Sequence, residues 1–175
     1  PRVSRPSHFT PQPVAGMRRR NRGRWRWRAL MVAAATLMLA GGAFALESFP
    51  TAPLAISSAG QTHRFTVELA VTRAQRAQGL MWRRRLEADR GMLFIYPSER
   101  IIRMWMRNTL IPLDMLFIDR KGTVVRIKER AVPGTEREIS SGARARAVLE
   151  LRGGTAFRLG LRPGDKVLHE AFGTR

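Results

Sequence analysis

The segment Met104–Asp119 (MWMRNTLIPLDMLFID) holds residues whose types and spacing could do chemistry, and Asp114 is the acid at its centre. A second acid, Glu150, lies in the later apolar run Ala145–Leu151. Two carboxyl groups brought together can act as general acid and general base in hydrolysis. If the protein is an enzyme, these residues therefore predict a hydrolase that uses Asp114 and Glu150.

The same region has a structural interpretation, because a buried polar group without a hydrogen-bond partner costs roughly 1–3 kcal/mol. Asp114 could accept backbone N–H groups and fix the turn at Ile111–Pro112, while Asn108 ends a strand. We expect this structural role. An enzyme stays open but is not favoured, because no nucleophile-elbow, zinc-protease or phosphate-loop pattern occurs in the chain. The residues kept as candidate ligand contacts are Asn108, Asp114, Trp105 and Glu150.

Met104 and Met106 flank Trp105, and thioethers suit Cu(I). A periplasmic Cu(I)-binding protein is therefore an alternative. If this stretch is a strand, both methionines lie on one face and Trp105 lies on the other. That geometry argues against a tryptophan that caps a metal held by the two sulfurs, and methionine is also a common core gap-filler. We expect neither a metal nor another cofactor.

The first 45 residues of the chain read as a leader rather than as part of the fold. Residues 1–28 carry nine arginines and no acid, and residues 29–45 carry no charge. With Ala43-Phe44-Ala45 as the cleavage site, residues 17–45 form a predicted signal peptide. Residues 1–16 are attributed to a translation start placed too far upstream, with Met17 as the real start. The protein is then exported to the periplasm. The alternative is an inner-membrane anchor formed by residues 29–45.

Composition restricts the rest of the chain. At 175 residues and without cysteine, it allows one domain and excludes disulfides and thiolate chemistry. Residues 29–175 carry 23 basic and 13 acidic side chains, a net charge of +10 that favours anionic partners such as lipid head groups or acidic polymers. Because the arginines near Trp25 and Trp27 precede an apolar run, they indicate a leader and not nucleic-acid binding. Membrane contact is expected only through an uncleaved leader.

Hydrophobic periodicity divides the exported part into a linker over residues 46–60 and one domain over residues 61–175. Thr72 and Gln75 fit a capping box at the start of a helix, and Gly79 within it indicates a close packing partner. The predicted fold is a compact, mainly β domain of α+β class, a small mixed barrel with one longer and one short helix. Its predicted strands are Arg64–Ala70, Gly91–Tyr96, Arg103–Asn108, Met115–Asp119, Thr123–Lys128, Ala145–Leu151 and Lys166–His169; its helices are Arg73–Arg84 and Thr155–Leu159, and Ala131–Ser141 is a loop.

Four blocks of the sequence stand in the order QRAQGLMWR, GMLFIYP, MWMRNTLIPLDMLFID and AVLELRGGTAFRLGLRPGD. Together they resemble the family catalogued as domain of unknown function 192, whose members are small and often exported bacterial proteins. The resemblance covers about Arg64 to Val167. It implies a single mainly β domain of α+β character and brings no activity with it. Positions that match the family's motifs are Met81, Met92, Asn108, Asp114 and Glu150.

These observations predict an exported envelope protein, which we interpret as a binding or accessory module for an envelope ligand or protein, with an anionic partner as one option. The alternatives are the carboxylate-pair hydrolase and the Cu(I) protein. A dehydrated carboxylate pair in one cleft would favour the hydrolase. An open apolar groove would favour the binding module.

Overall fold

Alternation of apolar and polar side chains determines which segments enter the sheet. The computed structural model describes residues 46–174, so the predicted leader (residues 1–16, the signal peptide 17–45 and the alternative anchor 29–45) lies outside the described residues. In residues 46–174, no helix is both long and apolar enough to span a membrane. The strands are β1 Thr51–Ser58, β2 Gln61–Ala70, β3 Arg90–Met104, β4 Leu113–Ile118, β5 Val124–Ala131, β6 Ile139–Arg152 and β7 Lys166–Leu168; the helices are α1 Arg73–Gln78 and α2 Thr155–Leu159, with a 3-10 turn at Glu170–Phe172.

The strands form one mixed sheet in the order β5-β4-β6-β3-β2-β1-β7. Strands β2 and β3 pair in parallel, and the other pairs are antiparallel. The sheet curls until its two edges approach at one end, where Thr123 bridges Lys166 and the Val167 amide donates to the Gly122 carbonyl oxygen at 2.7 Å. This half-barrel with two short helices confirms the predicted fold class.

Each face of the sheet buries its own apolar cluster. Along β6, Leu149 and Leu151 enter one cluster, which α2 covers with Ala156. Val148 enters the other cluster, which Leu80 covers from the end of α1. Because neighbouring residues of a strand point to opposite faces, Glu150 shares the face of Val148.

The prediction of a linker over residues 46–60 is wrong, because β1 occupies residues 51–58. β1 pairs with β2 along its whole length, and its buried positions, Leu54, Ile56 and Ser58, alternate as a strand requires. Pro53 is compatible with this strand because β7 pairs only with Ala55–Ser57, so no neighbour needs an N–H group from residue 53. The small residues and prolines hid the alternation.

The first helix is shorter than the predicted Arg73–Arg84. Its capping box is confirmed: the Thr72 hydroxyl accepts from the Gln75 amide, and the Gln75 side chain accepts from the Thr72 amide, each at 3.0 Å. Gly79 ends the helix with φ +49°, and a Cβ there would lie 2.9 Å from the Phe94 ring. The close packing predicted at Gly79 is therefore present, but Gly79 lies at the end of the helix and not in its interior.

Strand β3 continues past Pro97, where the sequence predicts a stop. Between Ile95 and Arg100 its register against β6 shifts, so the proline lies in a bulge that needs no ladder hydrogen bond. Arginines from β6 bind the freed carbonyls: Arg146 donates to the Pro97 oxygen at 2.6 Å and Arg144 to the Glu99 oxygen at 2.9 Å.

Two further boundaries differ from the prediction. The strand predicted over Arg103–Asn108 is wrong, since β3 ends at Met104 and the following residues turn, with Asn108 at φ +55°. The loop predicted over Ala131–Ser141 is shorter, because β5 includes Ala131 and β6 begins at Ile139.

Candidate functional site

Glu150 lies at the centre of the sheet in an apolar environment. On β6 it is paired with Met92 of β3 and with Met115 of β4, and both methionines are fully buried. The glutamate is only 4% exposed. Burial raises the pKa of its carboxyl from 4.5 to about 8. Glu150 is therefore protonated at neutral pH and can donate a hydrogen bond.

The Glu150 carboxyl meets a pocket of about 240 Å³ between α1 and the end of β3. We call it the Glu150 pocket. Aromatic rings and thioethers form its apolar wall, and arginines stand at its rim. Its lining includes Phe94, Tyr96, Trp105, Met81, Met104, Ala77, Thr109, Arg76, Arg103 and Arg107.

Helix α1 is held firmly over this pocket. The side-chain oxygen of Gln75 accepts from the Val71 and Thr72 amides at 3.0 Å, and its Nε2 donates to the Ser48 carbonyl oxygen at 2.8 Å. Arg76 donates to the Ile95 carbonyl oxygen at 3.0 Å. Since these bonds fix both sides of the helix, the pocket wall is set by backbone contacts and not by a mobile loop.

Tyr96 and Met104 form a second fixed part of the wall. The Tyr96 hydroxyl donates to the Met104 sulfur at 3.6 Å, and the Arg76 guanidinium lies 5.1 Å from the centre of the tyrosine ring. The pKa of Tyr96 is raised, chiefly by burial; Glu150 raises it further, while the positive charge of Arg76 opposes the shift. The phenol is therefore neutral at physiological pH, and its O–H group donates its hydrogen bond to the Met104 thioether.

The rim of the Glu150 pocket is basic but partly neutralised. Arg103 pairs with Glu138 at 3.0 Å, and Arg107 lies 3.8 Å from Glu136. Arg107 also lies 5.6 Å from the centre of the Trp105 ring, which is 49% exposed. A ligand entering the pocket would therefore meet an aromatic face and guanidinium groups before it reaches Glu150.

Asp114 is also buried, but it is saturated with hydrogen bonds. Its Oδ1 accepts from the Arg130 amide at 2.8 Å and the Gly154 amide at 3.0 Å, and its Oδ2 accepts from the Ala156 amide at 2.7 Å. Helix α2 has no capping side chain of its own, so Asp114 supplies the acceptor from strand β4. The expected acceptance of backbone N–H groups is present, but the donors lie at residues 130, 154 and 156 and not in the Ile111–Pro112 turn.

The predicted carboxylate pair is wrong. Asp114 is paired with Leu151, the neighbour of Glu150 on β6. Cross-strand partners share a face, whereas successive residues of one strand alternate. The two acids therefore lie on opposite faces of the sheet and cannot act on one substrate.

Asn108 does not line the Glu150 pocket but contacts a residue that does. Its carbonyl oxygen accepts from the Trp82 amide at 2.8 Å, and its Nδ2 donates to the Met81 sulfur at 3.8 Å. Asparagine tolerates the left-handed backbone better than most residues. Asn108 thus orients Met81, which lines the pocket, and it does not end a strand as predicted.

The two methionines of the copper alternative are separated by the end of β3. Met104 is half-buried in the pocket wall, whereas Met106 is fully buried in the core, and its amide donates to the Thr135 carbonyl oxygen at 2.9 Å. Trp105, the third member of that alternative, lies in the pocket wall. In residues 46–174, no cluster of three or more histidine or carboxylate side chains is placed to hold a metal ion.

Among the lining residues, sequence reasoning singled out Glu150, Trp105, Met104 and Met81, and it missed several others. Tyr96 is the only tyrosine of the chain and closes the apolar run Gly91–Tyr96, which is a signal that could have identified it. Arg76 and Thr109 gave no such signal, because their position depends on how α1 and the turn after β3 pack.

A family model described as an uncharacterized ACR, DUF192, matches residues 54–169. The chain belongs to the DUF192 family. All the lining residues of the Glu150 pocket lie within the matched part. No curated protein matches the chain.

The solved structures that are similar to this DUF192 chain include the following two. One is a protein from Sinorhizobium meliloti 1021, provisionally described as a transcription regulator, with 46% identity and a TM-score of 0.70 over 72% of this chain and 98% of that one. The other is a protein of unknown function from Novosphingobium aromaticivorans DSM 12444, with 38% identity and a TM-score of 0.69 over 71% of this chain and 89% of that one. The identities support a shared fold and family.

Proposed function

We propose that this DUF192 domain is an exported binding module that holds a small molecule in the Glu150 pocket. The ligand presents a hydrogen-bond acceptor, such as a carbonyl, amide or hydroxyl oxygen, to the protonated carboxyl of Glu150. An apolar part of the ligand contacts the aromatic and thioether wall. The leader expected over residues 17–45 supports delivery to the periplasm.

The contrast between the two buried acids carries this proposal. Asp114 accepts three backbone amides, while no described residue donates a hydrogen bond to the Glu150 carboxyl. A carboxyl group that is largely buried among methionines has lost most of its water without a protein partner in exchange, and this costs stability. Such a group at the wall of a pocket is typical of a functional site.

The pocket limits the ligand in size and charge. Its volume of about 240 Å³ suits a molecule smaller than most drug-like ligands. Trp105 offers a face for stacking, and Arg76, Arg103 and Arg107 favour a negative group at the rim. A ligand with a compact apolar body and an acidic end fits both properties, in agreement with the basic charge of the domain.

Binding fits this pocket better than hydrolysis does. Among the described residues that line it, Glu150 is the single carboxylic acid, and none is a histidine. A protonated carboxyl can act as a general acid, but a hydrolase of the predicted type needs a second group to activate water. Asp114, the other acid of the predicted pair, lies on the opposite face.

Two alanines of α1 provide a matched test. Ala77 lines the pocket and is exposed, whereas Ala74 lies one turn earlier, is also exposed and does not line it. Ala77→Trp should fill the pocket, and Ala74→Trp adds the same ring elsewhere. A fragment library of carbonyl, amide and hydroxyl compounds, screened by ligand-observed NMR, should yield compounds that bind the wild type and Ala74→Trp but not Ala77→Trp.

The Glu150 side chain gives the second arm of this experiment. Glu150→Gln keeps a hydrogen-bond donor and should retain part of the binding, whereas Glu150→Leu should abolish it. Compounds that bind equally well to Ala77→Trp, or a screen without any compound that distinguishes the two tryptophan variants, would overturn the proposal.

A further inference from the structure

A second cavity lies at the loop between β6 and α2, apart from the Glu150 pocket. Its volume is about 310 Å³, and three arginines line it together with the Gly153-Gly154-Thr155 turn. We call Arg130, Arg152 and Arg158 the arginine cluster. Each of the three comes from a different element: the end of β5, the end of β6 and helix α2.

The arginine cluster has no acidic counterpart at the cavity. No aspartate or glutamate is among the described residues that line it. The ion pairs found in residues 46–174 join other arginines, namely Arg83, Arg85, Arg103 and Arg107, to glutamates. The carboxylate of Asp114 lies behind the Gly154 wall, where it accepts three backbone amides, and it offsets only part of the charge of three arginines. The remaining positive potential is one that an anion would relieve.

Arg130 packs closely against the loop that lines the cavity. Its amide donates to Asp114, and its guanidinium lies 5.9 Å from the centre of the Phe157 ring. The side chain crosses directly over Gly154, where a Cβ would stand 3.3 Å from the Arg130 Nε. A side chain at residue 154 would therefore push the guanidinium aside.

We infer that the arginine cluster binds a phosphate-type oxyanion. Arginine offers paired N–H donors that match phosphate oxygens, and three of them can surround one such group. The backbone amides of Gly154 and Ala156 are not available, because Asp114 already accepts from both. The guanidinium groups are therefore the donors that we assign to the anion, and this site shares no lining residue with the Glu150 pocket.

The phosphate group that the arginine cluster binds can belong to a free phosphate compound or to a phospholipid head group. Phe157 stands beside the cluster and is 74% exposed. It could stack on a ligand attached to the phosphate or enter the surface of a bilayer next to anionic head groups. The experiment needs an arm for each source.

Two triple variants that remove the same number of charges distinguish binding at the arginine cluster from a general electrostatic attraction of anions to the protein. Arg130→Gln/Arg152→Gln/Arg158→Gln removes the cluster, and Arg73→Gln/Arg120→Gln/Arg162→Gln removes three exposed arginines elsewhere. Isothermal titration with inorganic phosphate and with pyrophosphate, at low and matched ionic strength, measures the first source. Flotation with phosphatidylcholine vesicles, with and without phosphatidylglycerol, measures the second, and Phe157→Ala is added to both arms.

We expect the cluster variant to lose about tenfold or more in affinity and the control variant less than about twofold, because guanidinium contacts to an oxyanion are specific in direction. If the protein binds phosphate or pyrophosphate but not vesicles, the ligand is a free phosphate compound. If the phosphate and pyrophosphate titrations show no binding, and vesicle binding depends on phosphatidylglycerol and on Phe157, the ligand is a phospholipid head group. Equal losses in the two triple variants, or binding in neither arm by the folded wild type, would overturn the inference.

Discussion

Asp114 and Glu150 lie on neighbouring strands of the sheet, yet their carboxyl groups point to opposite faces. Asp114 is opposite Leu151 on β6, one residue from Glu150. One carboxyl is saturated by backbone amides, and the other stands among methionines with a pKa raised to about 8. The two buried acids therefore have different roles in this domain: Asp114 stabilises the fold, and Glu150 is available to a ligand.

Asp114→Ala should destabilise the domain by about 3 kcal/mol, because it orphans one buried and two partly buried backbone amides. Asp114→Asn should recover part of the loss, since it keeps one acceptor oxygen. Urea denaturation measures both. Asp119→Ala is the control: Asp119 accepts from the Lys121 and Thr123 amides in a partly exposed turn, and its loss should cost less. Equal effects at the two positions would contradict the capping role of Asp114.

Glu150→Gln should change how stability depends on pH. The pKa of Glu150 is about 8 in the folded protein against 4.5 in the unfolded chain, so the folded state binds more protons between these values. The contribution of Glu150 to the free energy of unfolding is then fully present below pH 4.5 and is lost as the pH rises through 8, with a slope of up to about 1.4 kcal/mol per pH unit.

The measurement is a series of urea denaturations of wild type and Glu150→Gln from about pH 5 to about 8.5. The difference between the two proteins isolates Glu150 from other titrating groups, including His169, whose pKa is lowered by burial. The variant should gain stability relative to wild type as the pH rises. Glu129→Gln, at an exposed site, should follow the wild type. Parallel profiles for wild type and Glu150→Gln would exclude a raised pKa.

Local patterns in the sequence predicted most of the strands but not their ends. The alternation of Phe65, Val67 and Leu69 predicted β2, because a strand that faces one cluster repeats every two residues. β1 was missed, since its prolines and small residues imitate a linker. The helix at Arg73 was drawn too long, because only the packing of Phe94 shows that Gly79 ends it.

The site could be predicted only where one residue carries the signal. Glu150 and Asp114 could be identified because each is a single acid within an apolar run of the sequence. The hydrogen-bond partners of Asp114, however, lie 16, 40 and 42 residues away along the chain. Which face each acid occupies depends on the register between β4 and β6, and a shift of one residue would reverse it. The sequence contains no local indication of that register.

Gly91→Ala should be strongly destabilising, by about 3 kcal/mol, because overpacking beside a rigid backbone has no easy relief. A Cβ at Gly91 would lie 2.6 Å from the Glu150 carbonyl oxygen and 2.8 Å from a methyl group of Leu151. Gly60→Ala is the control: its φ is +77°, but no atom lies within 4 Å of the added Cβ. It should cost only the left-handed backbone penalty of about 1 kcal/mol. Thermal and urea unfolding compare the two, and similar losses would contradict the close strand contact.

Export with cleavage after Ala45 stays a prediction from the sequence. N-terminal sequencing of the protein from the periplasmic fraction should begin at Leu46. An intact leader on a membrane-bound protein would favour the anchor at residues 29–45, and a cytoplasmic protein would exclude both. The double substitution Ala43→Leu/Ala45→Leu should block cleavage without affecting the domain, because signal peptidase requires small residues at these two positions.

The mature domain should bind Cu(I) no more tightly than micromolar. The Met104 sulfur already accepts from the Tyr96 hydroxyl, and Met106 is fully buried beyond the end of β3. Two thioethers that do not share a strand face would need the turn at Trp105 to rearrange before both could bind one ion. Competition with a chromogenic Cu(I) chelator under reducing conditions measures the affinity. Stoichiometric transfer of copper to the wild type, lost in Met104→Leu/Met106→Leu but kept in a Met92→Leu control, would show that these sulfurs form a copper site after all.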